Sequence, residues 1–273
     1  MKHRTAIFYL LLIGLLWSTG GVLIKSIPWP PLAIAGVRSG LAGLTILLYL
    51  KKPTFSWSKY QIGAAISYAS TVTFFVIANK LTTAGNAILL QYTAPIYVAL
   101  LSYFVLKERS YIIDWLAIVG MLIGLGLFFM DDLTLSGYLG NIFAIVAGIS
   151  FALFTILLRK QKHASPIESV LLGNILTLII CLPIIINTIS YDFQSWGLVV
   201  LLGVFQLGIP YILFSIVIKH VSALDAIIYP TVEPIINPIL VYLIIGETLG
   251  KYAIWGGVMV LGSVIIRAVV KKS

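Results

Sequence analysis

The stretch YPTVEPIINP, residues 229–238, places a carboxylate, a carboxamide and three prolines inside an otherwise apolar run. Glu233 and Asn237 are four residues apart, so on a helix they share a face. Pro230, Pro234 and Pro238 repeat at the same spacing, one residue or about 100° around from that face. Proline has no N–H, so the carbonyls of Ala226, Pro230 and Pro234 lose their usual donors. Free carbonyls beside an acid suit an ammonium group, and the acid itself can carry a proton. Such acceptors are costly in hydrocarbon and useful in a wet, protein-lined cavity. Glu233 is therefore the leading candidate for reading a substrate amine or moving a proton. The competing reading is a structural acid bonded to a neighbouring helix.

Other residues join it with less force. Gln91 and Tyr92 stand one turn before Pro95, and Tyr229 one turn before Glu233. Uncharged polar groups with aromatic rings suit an amphipathic ligand, and they serve equally well as hydrogen bonds between helices. Trp17 sits in mid-segment, away from the interfacial belt where tryptophans gather, so it either lines a cavity or packs in a core. Tyr211 beside Pro210, with Gln206, Asn79 and Asn86, ranks lower. Arg38 could attract a carboxylate. It is read as structural, in a packing or gating ion pair for which Glu233 is a candidate partner, or reaching toward the outer face. Pro95 and Pro210 are expected to kink their helices as Pro230, Pro234 and Pro238 do. His3, His163 and His220 never cluster, and Asp131–Asp132 has no further acids or histidines near it in sequence. No nucleophile–base set, metal-ligand spacing or phosphate-binding glycine loop is present. The expectation is no enzyme, no metal, no cofactor, and transport without ATP.

These residues must be positioned by membrane helices. Of 273 residues 60% are hydrophobic and 10% charged, against about 25% charged in a soluble domain. Mean hydropathy is +1.07. Ten apolar segments are read at 5–26, 31–50, 60–79, 83–106, 111–130, 138–158, 167–187, 196–218, 223–245 and 250–270. Each approaches the ~20 residues needed to cross a bilayer, and the loops between them leave no room for a soluble domain. The basic head and apolar run at the start resemble a signal peptide, but the run continues to Lys25 and the charge pattern needs it as a helix. No lipidation signal is read at the end. Cys181 is the single cysteine and lies within the seventh segment, so no disulfide framework exists.

With ten spans both termini share a side, and that side carries fourteen of the eighteen Lys and Arg residues. The other side carries Lys25, Lys80 and Lys251, and Arg38 lies within a span. This bias puts both termini in the cytoplasm of a multi-pass cell-membrane protein. The net charge of +9 is thereby a topology signal, and no nucleic-acid partner is expected.

Residues 75–108 align with 214–247 at a constant offset of 139, with eleven identities in thirty-four positions. Pro95/Pro234, Lys80/Lys219, Tyr103/Tyr242 and Glu108/Glu247 match in register. Five spans per half make the two copies inverted, an arrangement that places substrate near the midplane, where helices of both halves are broken. The halves are read as 1–132 and 138–270. Gly36/Gly40 and Gly120/Gly124 are small-residue pairs for close helix contact, within the chain or between subunits of a homo-oligomer.

The segments LLWSTGGVLIK (15–25), AIAGVRSGLAG (33–43), LTTAGNAILLQYTAPIYVALLSYFVLKE (81–108) and VSALDAIIYPTVEPIINPILVYLIIGE (221–247) resemble the drug/metabolite transporter superfamily, EamA type. The resemblance spans the whole chain. It implies a secondary transporter, commonly an exporter of amino acids or related metabolites, with a cavity lined mainly by spans 1, 3, 4, 6, 8 and 9. Span 2, with Arg38, is then peripheral. Ala94–Pro95 stands where the second half has Glu233–Pro234, so any proton relay would be asymmetric. The reading is an all-α integral membrane protein that exports small zwitterions by alternating access. A drug or hydrophobic-cation exporter, or an importer of a vitamin or nucleotide derivative, is the alternative on the same fold. A membrane enzyme or lipid-handling protein is the reading of another class, and it lacks a catalytic constellation.

Overall fold

The computed structural model describes residues 1–130, 137–188, 192–236 and 251–270. Among these, every regular element is helical. Eight helical stretches are long and apolar enough to span a bilayer, and Ile112–Phe128 is a shorter apolar helix. Asn237, Pro238, Glu247 and the Asp131–Asp132 pair lie outside the described residues.

Several apolar runs are divided where their sequence weakens the helix. The first comprises α1 (His3–Trp17) and α2 (Gly20–Ser26). Between them the hydroxyls of Ser18 and Thr19 donate back to the carbonyls of Leu15 and Leu16 at 2.6 and 2.9 Å, a local bond that competes with helical pairing. Helices α3 (Pro31–Leu50) and α4 (Lys59–Leu81) are continuous. Pro31 opens α3 where no N–H is needed, and the Ser58 hydroxyl caps α4 by accepting from Gln61 N. The fourth run divides into α5 (Ala84–Gln91) and α6 (Ala94–Leu106), with Pro95 in the first turn of α6. Then come α7 (Ile112–Phe128), α8 (Tyr138–Lys160) and α9 (Pro166–Thr188). The eighth run is α10 (Phe193–Leu201), a π-helical segment Leu202–Gly208, and α11 (Ile209–Val217). Pro210 follows the wide turn and removes the donor that the Gln206 carbonyl would otherwise meet. In the ninth run α12 (Ala223–Ile228) tightens into a 3₁₀ turn, Tyr229–Val232, before Glu233. The last helix is α13 (Ala253–Val270).

Helix α4 packs along α8, α3 along α9, and α7 along α13, while α1 lies against α11 and the 229–232 turn. The glycine pairs serve these seams. A Cβ on Gly36 would meet Cys181 Cβ at 2.5 Å, and one on Gly40 would meet Leu178 at 3.3 Å. A Cβ on Gly124 would meet Gly256 O at 2.9 Å and Val260 Cγ2 at 2.8 Å. Both pairs are thus used in contacts within the chain.

Charges tie the ends that carry the basic loops. Arg267 is one of the fourteen basic residues on the side that carries the termini, yet its side chain is wholly buried. It pairs with Asp114 of α7 at 2.7 Å and with Asp225 of α12 at 2.7 Å. Glu108 accepts from Arg159 Nε at 2.9 Å and from the Ala223 amide at 2.9 Å, so one carboxylate joins the ends of α6, α8 and α12. Arg159 also donates to the carbonyls of Ile218 and Lys219.

Replacing Arg267 by Met should leave two buried carboxylates without their cation, which costs about 3–5 kcal/mol. The measurement is the unfolding midpoint in detergent, and a midpoint equal to wild type would contradict the buried triad. Gly124→Ala should cost about 1–3 kcal/mol by overpacking the α7–α13 seam, whereas Gly126→Ala, with nothing within 4 Å of the added carbon, should be tolerated.

Candidate functional site

Four interruptions in the helices meet in one place. Gly14 of α1 lies against the 229–232 turn so closely that an added Cβ would sit 2.8 Å from Pro230 O. Gly20 at the start of α2 is equally close to Gln206 of the π-helical segment, 2.7 Å from its Nε2. Tyr92, at the break between α5 and α6, donates its hydroxyl to Glu233 Oε2 at 2.6 Å and approaches Pro230 O at 3.3 Å. The carbonyl that sequence identifies as freed by Pro234 thus meets a tyrosine hydroxyl from the other broken helix. The Glu233 N–H also reaches it.

These breaks border one cavity. Trp17, Arg38, Gln91, Tyr92, Gln206, Tyr211 and Glu233 line it. Most of the lining is aromatic or aliphatic. The Trp17 ring packs on Phe151, Tyr211 and Phe214 with centroids 5.3–5.8 Å apart. Tyr211 packs edge-on against Tyr68 at 4.8 Å. The arrangement offers one carboxylate, one guanidinium and two carboxamides in a largely apolar wall. A wall of this chemistry suits an amphipathic solute oriented by its charges.

The structure thus brings together Glu233, Gln91, Tyr92, Trp17, Tyr211 and Gln206 from the sequence candidates. It adds Arg38, although α3 was expected at the periphery. The reason is the close approach of the π-helical segment, where a Cβ on Gly203 would lie 2.9 Å from Arg38 O. Arg38 donates to Gln206 Oε1 at 3.3 Å and to Val72 O at 2.8 Å. Arg38 and Glu233 form no ion pair with each other; Glu108, Asp114 and Asp225 are among the acids that do pair.

Tyr229 is buried but does not line the cavity. Its four-residue spacing to Glu233 implies one face only on an α-helix. The intervening 3₁₀ turn has three residues per turn and rotates the two apart. The same turn breaks the alignment of Pro230 with Pro234. Asn86 donates to Thr82 Oγ1 and Asn141 Oδ1, joining helix ends away from the cavity. Asn79 donates to its own helix at Phe75 O. Thr71, Val72, Phe75 and Phe151 also border the cavity. Sequence gave no sign of these, because a threonine or an aromatic residue in a membrane helix has many uses. Among the described residues no three His, Cys, Asp or Glu side chains gather as metal ligands would.

Known proteins agree with this architecture. The chain is 29% identical over 258 residues to an uncharacterized transporter of Archaeoglobus fulgidus, covering 94% of both chains. It is 26% identical over 223 residues to one of Clostridium kluyveri, covering 77% of this chain and 71% of that one. The Bacillus subtilis uncharacterized transporter YoaV is 23% identical, with 79% of each chain covered. A crystal structure 17% identical in sequence superposes with a TM-score of 0.81 over 98% of both chains, a likeness of fold. The EamA-like transporter family matches residues 4–130 and again 138–268. With both halves matched, the chain is a multi-pass membrane protein that belongs to the EamA-like transporter family.

Proposed function

We propose that this protein is a secondary transporter of the cell membrane that exports small metabolites, amino acids or related zwitterions above all, by alternating access. The observation that carries the reading is the cavity itself: Glu233 and Arg38 border one aromatic-walled space where four helix breaks meet. An acid and a base in one small cavity match the two charges of a zwitterion. Glu233 would take the amine or carry a proton. Tyr92, bonded to it at 2.6 Å, would hold the carboxylate in place and release it when the helices move.

The proposed topology has ten spans, both termini cytoplasmic, and two inverted five-helix repeats over 1–132 and 138–270. The packing supports it. Under exchange of the halves, the α3–α9 and α7–α13 pairs map onto themselves. The α4–α8 seam maps onto α11 with α1, which is also a contact. The two halves would rock about the breaks near Pro95, Pro210 and Pro234. The drug or hydrophobic-cation alternative draws support from the cluster of Trp17, Phe151, Tyr211 and Phe214, since aromatic faces attract cations.

Flux of a pooled set of labelled amino acids in proteoliposomes, with and without an imposed pH gradient, tests the reading. Saturable flux is expected. Glu233→Gln should lower it at least about tenfold, by loss of a charged hydrogen-bonding group, or remove its response to the gradient. Unchanged flux of that variant at every pH contradicts the role given to Glu233, and no flux of any amino acid by folded protein favours the drug or vitamin readings. Tyr92→Phe should reduce flux less than Glu233→Gln, because it removes one hydrogen bond and leaves the acid.

A further inference from the structure

Charge matching alone sets Arg38 against the negative end of a zwitterion, and the hydrogen bonds of its side chain are incomplete. Arg38 is 1% exposed. One terminal nitrogen donates to Gln206 and the other to the Val72 carbonyl, both neutral acceptors. Its Nε has no partner. Arg267, equally buried, has two carboxylates within 2.7 Å, whereas Arg38 has none among the described residues. An uncompensated cation inside a protein is strongly unfavourable, so a buried guanidinium at the wall of a cavity calls for an anion that enters the cavity.

A second donor in the same wall is also unsatisfied. The indole Nε1 of Trp17 is buried without a partner, and Trp17 and Arg38 both line the cavity. Two orphan N–H donors, one of them charged, thus belong to residues that border one cavity, and donors of this kind suit a planar oxyanion. A single guanidinium balances one negative charge, which fits a carboxylate and falls short of a phosphate dianion. Gln206 lies on the π-helical segment that Pro210 follows, and Gly203 of that segment touches the Arg38 backbone.

We propose that Arg38, with Trp17 as a second donor, forms a carboxylate subsite in this cavity and makes a carboxylate a requirement of the substrate. This rests on the reading of the cavity as the transport site for small metabolites. It gives Arg38 a substrate-binding role, and it separates amino acids from amines that Glu233 alone would accept equally well.

The test uses the purified full chain in detergent. Binding of each of the twenty standard amino acids is measured by calorimetry and thermal shift. The decarboxylated amine of each amino acid, sodium chloride and sodium phosphate follow. In wild type the amino acid should bind at least about tenfold more tightly than its amine, since a charge-assisted hydrogen bond is lost. Arg38→Met should erase that preference, with amine and amino acid binding alike, and Arg38→Lys should keep part of it. Should Arg38→Met fail to fold, the wild-type comparison and Arg38→Lys decide. Equal binding of amines and amino acids by wild type overturns the subsite and leaves the transport reading standing. So does a full preference for amino acids in Arg38→Met, or competition by chloride or phosphate as strong as by the amino acid. Binding of neither amino acids nor amines overturns both.

Discussion

Hydrocarbon supplies no hydrogen bonds, so a membrane helix can be broken only where protein or a wet cavity meets the freed backbone groups. This constraint organises the molecule. The first, fourth, eighth and ninth apolar runs are all interrupted, and the interruptions converge instead of scattering. The Pro230 carbonyl is reached by the Tyr92 hydroxyl, which also holds Glu233. The breaks of the fourth and ninth runs thus satisfy one another, and the space beside them is lined by the polar groups they bring. The same convergence that makes the helices tolerable makes the cavity.

Unbroken helices hold this arrangement in place. The α3–α9 and α7–α13 seams use glycines to bring backbones together, and α4 lies along α8 as a long continuous contact. At one end Glu108 joins α6, α8 and α12, and Arg267 joins α7, α12 and α13. The broken helices are thereby held between rigid pairs. A movement of one half against the other would bend the chain at the breaks, where the helical ladder is already open, and would have to remake the contact between Tyr92 and Glu233.

Much of this was legible in sequence. Apolar run lengths gave the helices, and the 139-residue offset paired Pro95 with Pro234. Glu233 was visible as an acid in an apolar run. What was not legible depended on pairings distant in sequence or on departures from α geometry. Arg38 reads as a peripheral cation until the π-helical segment is seen against α3. Arg267 reads as an interfacial charge because Asp114, 153 residues away, gives no local sign of pairing with it. Tyr229 reads as a neighbour of Glu233 only under α-helical spacing, and the 3₁₀ turn rotates it away. The break at Ser18–Thr19 had its signal in WSTGG, where small and hydroxyl residues weaken a helix.

The convergence of the breaks requires a site reached from water. Labelling of single cysteines tests it most directly. In a Cys181→Ala background, a membrane-impermeant thiol reagent is applied from each side to protein carrying Gln91→Cys or Phe104→Cys. Gln91 lines the cavity, and Phe104 is 70% exposed on the apolar flank of α6. The account predicts that Gln91→Cys is labelled from at least one side and protected by a transported solute, while Phe104→Cys in the bilayer stays unreacted. Failure of Gln91→Cys to react from either side, in protein that remains folded, would contradict it.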